Sequence, residues 1–259
     1  MGQMVFIVFK LYFHKGGFFM QFLSEIYWDR GARESNQDSV SLQQVSIRGK
    51  RAVMALVCDG IGGLEQGEIA SGYVAERMTE WFYTEGIRML GKKKGWGKIC
   101  RAGLRALYYC NGQMEEYGKK QGLKMGTAVT MLLASGKKYA VWHSGDTRLY
   151  RLRGGIRKTQ VGRLTKDHTV NHHILVLCIG SFPWKEPDVL RGRIRRNQVM
   201  LLCTDGFRNK VTEEKIGEAL QPASLLSREQ IGRRLEELAA YGKRHGETDN
   251  MAAVAIRCS

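Results

Sequence analysis

A chain of 259 residues with 43% apolar content can bury a substantial core, as one large domain or two small ones. With 41 Lys plus Arg against 25 Asp plus Glu, the formal charge of +16 favours an acidic partner: phosphoprotein, nucleic acid or anionic membrane. The six cysteines form no C-x-x-C pair and no internal repeat is visible, so the chain reads as neither a zinc or disulfide scaffold nor a solenoid, but as a protein with free thiols in a reducing compartment.

Residues 1–19 form an N-terminal extension with its own character. Met4–Phe9 is apolar, Lys10 and His14 interrupt the run, and Gly16-Gly17 ends it. A membrane span of about 20 apolar residues does not fit there. A signal-peptide cleavage site is missing, and Phe6 stands where a myristoylation signal requires Ser or Thr. An extra strand, or an upstream start with Met20 as initiator, are both open readings.

From Met20 the pattern is regular. Phe22–Trp28 alternates as a strand. Val40–Ile47 and Ala52–Cys58 read as a hairpin turned through Arg48-Gly49-Lys50. Ala70, Val74, Met78 and Trp81 recur at helical spacing and predict a helix over Glu68–Phe82, and a longer one follows over Trp96–Tyr117. Thr127–Ala134, Lys138–His143 and Arg148–Arg153 read as strands joined by turns, and Val199–Cys203 as a buried strand. Ser227 and Gln230 suggest a capping box before a helix with Ile231, Leu235 and Leu238 inward. Met251–Cys258 closes the chain as a strand. Strands arrive in clusters with helix pairs between them. That pattern is α+β, with packed sheets and outer helices. Three prolines and no low-complexity linker make residues 20–259 one domain.

Five aspartates punctuate these elements: Asp38, Asp59, Asp146, Asp205 and Asp249. Each sits in a short glycine- or asparagine-flanked phrase, mostly after an apolar run. Carboxylates converging at strand ends raise one another's pKa unless cations neutralise them. Oxygen-only ligands select Mg²⁺ or Mn²⁺ over zinc. The residue types alone therefore suggest a metal-dependent hydrolase.

The phrases, taken in order, resemble the bacterial metal-dependent serine/threonine protein phosphatases of the type 2C (PPM) family. The matching segments are Gly31–Ser39 with Arg33, Asn36 and Asp38, then Cys58–Ser71 with Asp59-Gly60-Ile61-Gly62-Gly63, then Met125-Gly126-Thr127. They continue with His143–Tyr150, Leu164–His168, Leu202–Gly206 and Asp249-Asn250. The resemblance implies a central sandwich of two mainly antiparallel sheets flanked by helix pairs, in four layers. It implies that Asp59 bridges two metals with the Gly60 carbonyl as a further ligand, and that Asp205 and Asp249 complete the first site. Asp38 would hold water of the second metal, Asp146 would help hold a weaker third, and Arg33 would grip the substrate phosphate. Water between two such cations loses a proton near neutral pH and attacks the phosphoryl group. The implied catalytic residues are Arg33 and Asp59, the cofactor Mn²⁺ or Mg²⁺, and the substrates phosphoserine and phosphothreonine proteins of a cognate Ser/Thr kinase. The chain is then a cytoplasmic monomer with no membrane span and no specific nucleic acid. A non-catalytic phosphoprotein sensor of the same fold and a basic nucleic-acid-binding protein are the alternatives.

The chain also departs from the pattern. Ile61 stands where eukaryotic members carry a histidine thought to protonate the leaving group, and Ala128 replaces a common threonine. Only Thr169–Ile179 separates His168 from Gly180, so the flap beside the site is shortened. That leaves phosphate, metals and basic surface, including Arg191–Arg196, to bind substrate. His143 and His168 read as packing or hydrogen-bonding residues, and the adjacent His172 and His173 as non-ligands.

Overall fold

Alternation along the strands decides the layers. A computed structural model describes residues 20–61, 66–155, 158–171, 174–180 and 183–259. Strand β3 (Lys50–Gly60) is apolar on both faces because both faces are covered. Val53, Ala55 and Val57 point into the gap between two sheets, while Met54, Leu56 and Cys58 point at helices. One sheet joins β10 (Asp188–Arg193), β5 (Lys138–Ser144), β4 (Thr127–Ser135), β3 and β2 (Asp38–Ile47) in that order. The other joins β1 (Phe22–Asp29), β12 (Met251–Cys258), β11 (Gln198–Cys203), β6 (Arg148–Arg153) and β7 (Gln160–Arg163). All neighbours are antiparallel.

Helices cover both outer faces, as the sequence leads one to expect. α1 (Gly67–Trp81) lays Ala70, Val74, Met78 and Trp81 on the first sheet, and α3 (Trp96–Gln121) adds Ile99, Leu107 and Met114. The first helix does not end at Phe82. It runs through a π-helical turn, Phe82–Gly86, into the short α2 (Ile87–Gly91). On the second sheet α6 (Arg228–Arg244) buries Ile231, Leu235 and Leu238 behind a true capping box of Ser227 and Gln230. The short α4 (Asp205–Arg208) and α5 (Glu213–Ala219) complete that layer. The three apolar clusters are thus helix on sheet, sheet on sheet and sheet on helix.

Three features are not evident from the pattern. β7 and β10 are edge strands whose solvent-facing charges blur the alternation. The stretch after His168 holds a small hairpin, β8 (Thr169–Val170) with β9 (Ile174–Leu175). Arg193–Arg196 lies at the end of the sheets away from Asp38 and Asp59, and Arg191 lies midway along its strand, not beside them. The expectation that this cluster helps bind substrate is therefore corrected: its strand runs antiparallel to β5, which carries it away from the aspartates. Residues 1–19, Gly62-Gly63 and His172-His173 lie outside the described residues.

Trp142 is fully buried between α3 and the sheet, and its Nε1 donates to the Cys100 carbonyl at 3.0 Å. A Cβ on Gly103 would meet its ring at 2.5 Å. Gly103→Ala is therefore expected to cost about 1–3 kcal/mol of unfolding free energy, although alanine normally favours a helix by about 1 kcal/mol. Urea unfolding showing equal or higher stability would contradict this packing.

Candidate metal centre

Antiparallel pairing brings the first two carboxylates together. Asp38 opens β2 and Asp59 lies near the end of β3, directly opposite in register, so both side chains leave the same face. Asp205 follows β11, Asp249 precedes β12, and Asp146 lies in the turn between β5 and β6. All five sit at one end of the two sheets.

The electrostatics record their proximity. Burial holds Asp59 well above the usual carboxylate range, and the charges of Asp38, Asp205 and Asp146 push it further. Asp205 is also within hydrogen-bonding reach of Asp59. Asp38 is 3% exposed. Burial raises its pKa strongly, against a hydrogen bond from Thr204, and the charges of Asp205, Asp249 and Asp146 add to the rise. Burial and then Asp205 push Asp146 up to about 6, with the Arg208 guanidinium opposing. Such a cluster is unstable as anions until positive charge enters it. Its donor set of carboxylates suits a hard divalent cation.

Two of the five already accept side-chain hydrogen bonds. Arg33 clasps Asp249 in a planar fork, Nε to Oδ1 at 2.9 Å and Nη2 to Oδ2 at 3.0 Å. Thr204 Oγ1 donates to Asp38 Oδ2 at 2.8 Å. Among the described residues no three His, Cys, Asp or Glu side chains already surround one metal position.

Close backbone approach fixes the frame. A Cβ on Gly60 would lie 2.4 Å from the Gly67 carbonyl, and one on Gly206 would lie 2.1 Å from the Asn250 carbonyl. Only glycine fits at either place. Asn250 ties the Arg33 loop down. Its Nδ2 donates to the Arg30 and Ser35 carbonyls at 2.7 and 3.0 Å, and its Oδ1 accepts from Gln37 N at 2.8 Å. Thr127 Oγ1 donates to the Asp59 carbonyl at 2.8 Å.

The Asp146 turn has its own scaffold. Gly145 N donates to His168 Nδ1 at 3.1 Å, and His168 N to the Gly145 carbonyl at 2.8 Å. His168 is therefore the Nε2–H tautomer, facing Asp188 at 3.3 Å. Arg208 donates to the Asp146 carbonyl at 3.3 Å. Arg148 forks onto Asp167. Against burial, that contact holds the Asp167 carboxyl below its usual range. Sequence reasoning named Asn250, Asp167 and Thr204 only as motif neighbours and missed Arg208. The Thr-Asp-Gly and Asp-Asn phrases carried the signal for Thr204 and Asn250.

His143 and the cysteines other than Cys178 are bound up in the core. His143 lies between Thr130 Oγ1 and the Lys166 carbonyl, both at 2.9 Å, and burial lowers its pKa to about 4. It is a neutral core residue stacked on His168. All six cysteines are free. Burial raises Cys58 strongly and Cys203 to about 12, so neither thiol supplies a thiolate nucleophile.

Comparison with known proteins agrees with this architecture. The model of the family described as "Protein phosphatase 2C" matches residues 30–241. The serine/threonine protein phosphatase PstP of Mycobacterium tuberculosis is 31% identical over 243 residues, covering 87% of this chain and 43% of the relative. The chain thus spans less than half the length of that relative. The serine/threonine phosphatase stp of Listeria innocua is 21% identical over 252 residues, covering 90% and 94%. The crystal structure of the PstP catalytic domain in complex with two manganese ions superposes with a TM-score of 0.74 at 26% identity, covering 92% of this chain and 99% of that one.

Thr204 sits at the junction of this centre and the core. Its hydroxyl donates to Asp38 and accepts from Ala252 N at 3.0 Å. Thr204→Val keeps the shape and removes both bonds, so unfolding free energy should fall by about 1–3 kcal/mol, while Thr204→Ser should retain most of it. Thermal or urea melts in which valine and serine behave alike would show that the hydroxyl contributes nothing.

Proposed function

We propose that this chain, which belongs to the protein phosphatase 2C family, hydrolyses phosphoserine and phosphothreonine in proteins with Mn²⁺ or Mg²⁺ as cofactor. The observation that carries the reading is the convergence of Asp38, Asp59, Asp146 and Asp205, with the pKa values of Asp38, Asp59 and Asp146 raised, beside the exposed Arg33 guanidinium. Asp59, Asp205, Asp249 and the Gly60 carbonyl are assigned to two cations. Asp38 is assigned to water of the second, and Asp146 to a possible third. When bound, such cations acidify an attacking water and neutralise charge on the phosphoryl group.

Arg33 is assigned to the phosphate. Its partner in this structure is Asp249, and the side chains are 58% and 35% exposed. An exposed pair contributes only about 0–1 kcal/mol, so Arg33 can exchange one anion for another at little cost. Its planar fork fits two phosphate oxygens as it fits two carboxylate oxygens. Release of Arg33 frees Asp249 for a cation, so the two roles are compatible in sequence. Ile61 offers no proton, and His143 is neutral and enclosed; the leaving oxygen is therefore assigned a proton from solvent.

The reading places the protein in the cytoplasm as a monomer, acting on substrates of a cognate Ser/Thr kinase. No described helix is long and apolar enough to cross a membrane. Every carboxylate position of the family pattern is kept, which disfavours a non-catalytic sensor.

Hydrolysis of p-nitrophenyl phosphate and a phosphoserine peptide should vanish in EDTA and return with Mn²⁺ or Mg²⁺. Asp59→Asn should lower kcat by at least about a thousandfold and weaken Mn²⁺ binding in calorimetry. Normal turnover by metal-loaded Asp59→Asn would sink the assignment.

Arg33→Ala should lower kcat/KM by roughly 10- to 100-fold, as expected for losing a charge-assisted bidentate contact. Unfolding free energy should change by less than about 1 kcal/mol, since the pair it breaks is exposed. A large stability loss with unchanged kinetics would make Arg33 structural.

A further inference from the structure

One carboxylate beside the metal centre is approached by three guanidiniums. Arg148 forks onto Asp167, with its Nε 2.9 Å from Oδ1 and its Nη2 on Oδ2. Arg163 Nη1 lies 3.5 Å from Oδ2, and Arg208 Nη2 lies 4.0 Å from the same oxygen. Among the described residues Asp167 is the only carboxylate paired with any of these arginines, so the cluster is strongly cationic. Arg208 also offsets the charge of Asp146, which the reading above assigns to a cation.

The three contacts differ in quality. A charge-assisted hydrogen bond runs about 2.7–2.9 Å. Arg148 reaches that length, while Arg163 and Arg208 do not. Arg208 is held in place by other bonds: Nη2 donates to the Asp146 carbonyl at 3.3 Å and Nη1 to Asn209 Oδ1 at 3.0 Å. Its buried Nε has no hydrogen-bond partner among the described residues. Arg148 is held by Asp167 and by the Tyr150 hydroxyl at 3.0 Å. Arg163 is different. Its side chain is 37% exposed, whereas those of Arg148 and Arg208 are mostly buried. It stands last on β7, an edge strand. Its guanidinium thus makes one long contact and is open to solvent.

The cluster adjoins the metal centre. The Arg208 nitrogen that bonds the Asp146 carbonyl is the one that faces Asp167 Oδ2. Arg163 pairs in register with Tyr150, and β6 begins two residues after Asp146. An extended peptide advances about 3.3 Å per residue, so a side chain roughly two to four residues from a phosphoserine held at the metals comes within reach of Arg163. Charge decides which side chain is favoured there. An anion meets the fixed charges of Arg148 and Arg208 and the planar fork of Arg163, which fits carboxylate and phosphate oxygens alike. A lysine or arginine meets repulsion.

We infer that Arg163, backed by Arg148 and Arg208, forms a second anion subsite that selects substrates carrying a carboxylate or a further phosphate a few residues from the phosphoserine. The subsite rests on the phosphatase reading of the metal centre and adds a substrate class to it.

The test uses the full chain with Mn²⁺ and phosphoserine peptides that differ in one flanking residue: Glu, phosphoserine, Ala or Lys. At the favoured position kcat/KM should be at least about tenfold higher with Glu or phosphoserine than with Ala, and lower again with Lys. The preference should weaken as salt rises. Arg163→Ala should remove it, Arg163→Glu should reverse it, and Arg163→Lys should keep part of it. Arg163 is the residue to change, because Arg208 also holds the Asp146 turn. Hydrolysis of p-nitrophenyl phosphate, which has no flanking group, should stay within about twofold of the parent in all three variants. Melting temperatures should change little, since the ion pair lost is exposed. If Arg163→Glu fails to fold, Arg163→Ala carries the comparison. Equal kcat/KM for the Glu, phosphoserine, Ala and Lys peptides, or a preference unchanged in Arg163→Ala, would overturn the subsite. So would an equal loss on p-nitrophenyl phosphate and on the peptides, which would make Arg163 a support of the metal centre. A parent with no metal-dependent hydrolysis would sink the phosphatase reading alone. Fluorescence anisotropy of the same peptides, labelled, would then decide the subsite: tighter binding of the acidic peptides by the parent but not by Arg163→Ala sustains it, and equal binding overturns it.

Discussion

Repulsion among clustered carboxylates is the constraint on which the rest of this structure depends. Asp38 is almost fully buried and faces Asp59 across a two-strand pair, with Asp205 and Asp146 beside them. Left as anions, these groups oppose the folded state. They are tolerated because the frame beneath them is over-determined: strands buried on both faces, three apolar layers, and glycines where carbonyls crowd. A loop-borne site could relieve the repulsion by moving apart. A site on paired strand ends cannot, which is why its relief must come from a cation or a proton.

Much of this was legible in the chain, for a definite reason. Elements with a strong periodic signal, such as β3, α3 and β12, lie where both burial and propensity agree. The aspartate phrases are legible because metal chemistry restricts residue type and the close approach restricts neighbours to glycine. What escaped the reading was context. β10 carries Asp188, Arg191 and Arg193 outward on an edge, so its pattern looks like a loop. Arg208 sits in a four-residue helix with no periodicity, and its bond to the Asp146 carbonyl joins elements 62 residues apart. The distance of Arg191–Arg196 from the aspartates depends on strand direction, which composition does not carry.

The Arg33–Asp249 fork and the Arg148–Asp167 fork show how similar chemistry is put to different use by exposure. Arg148 and Asp167 are 20% and 17% exposed, and Arg163 and Arg208 approach the same carboxylate. Removing either partner there would strand a charge in a desolvated setting, so the contact is a fixture that holds the Asp146 turn. Arg33 and Asp249 stand in water-accessible positions where the same geometry is nearly neutral in free energy. The first fork is suited to positioning and the second to exchange. Two residues with opposite charge can thus be assigned to two ligands without contradiction, provided their mutual bond is the weaker one.

The segregation of charge along the strands has a further consequence. A net charge of +16 spread evenly would surround the carboxylate cluster with compensating cations and lower its affinity for metal. Here Arg48, Lys50, Lys137, Lys138, Arg193 and Arg195, which form no ion pair among the described residues, are at the far end, while Arg33, Arg148 and Arg208 near the aspartates are committed to carboxylates or carbonyls. At roughly 30 Å and a Debye length of about 8 Å the two ends act independently. The acidic end thus keeps a local field that favours divalent ions. A sandwich of antiparallel strands is well suited to this, because every strand carries its two termini to opposite ends and each end can evolve its loops without disturbing the register of the other.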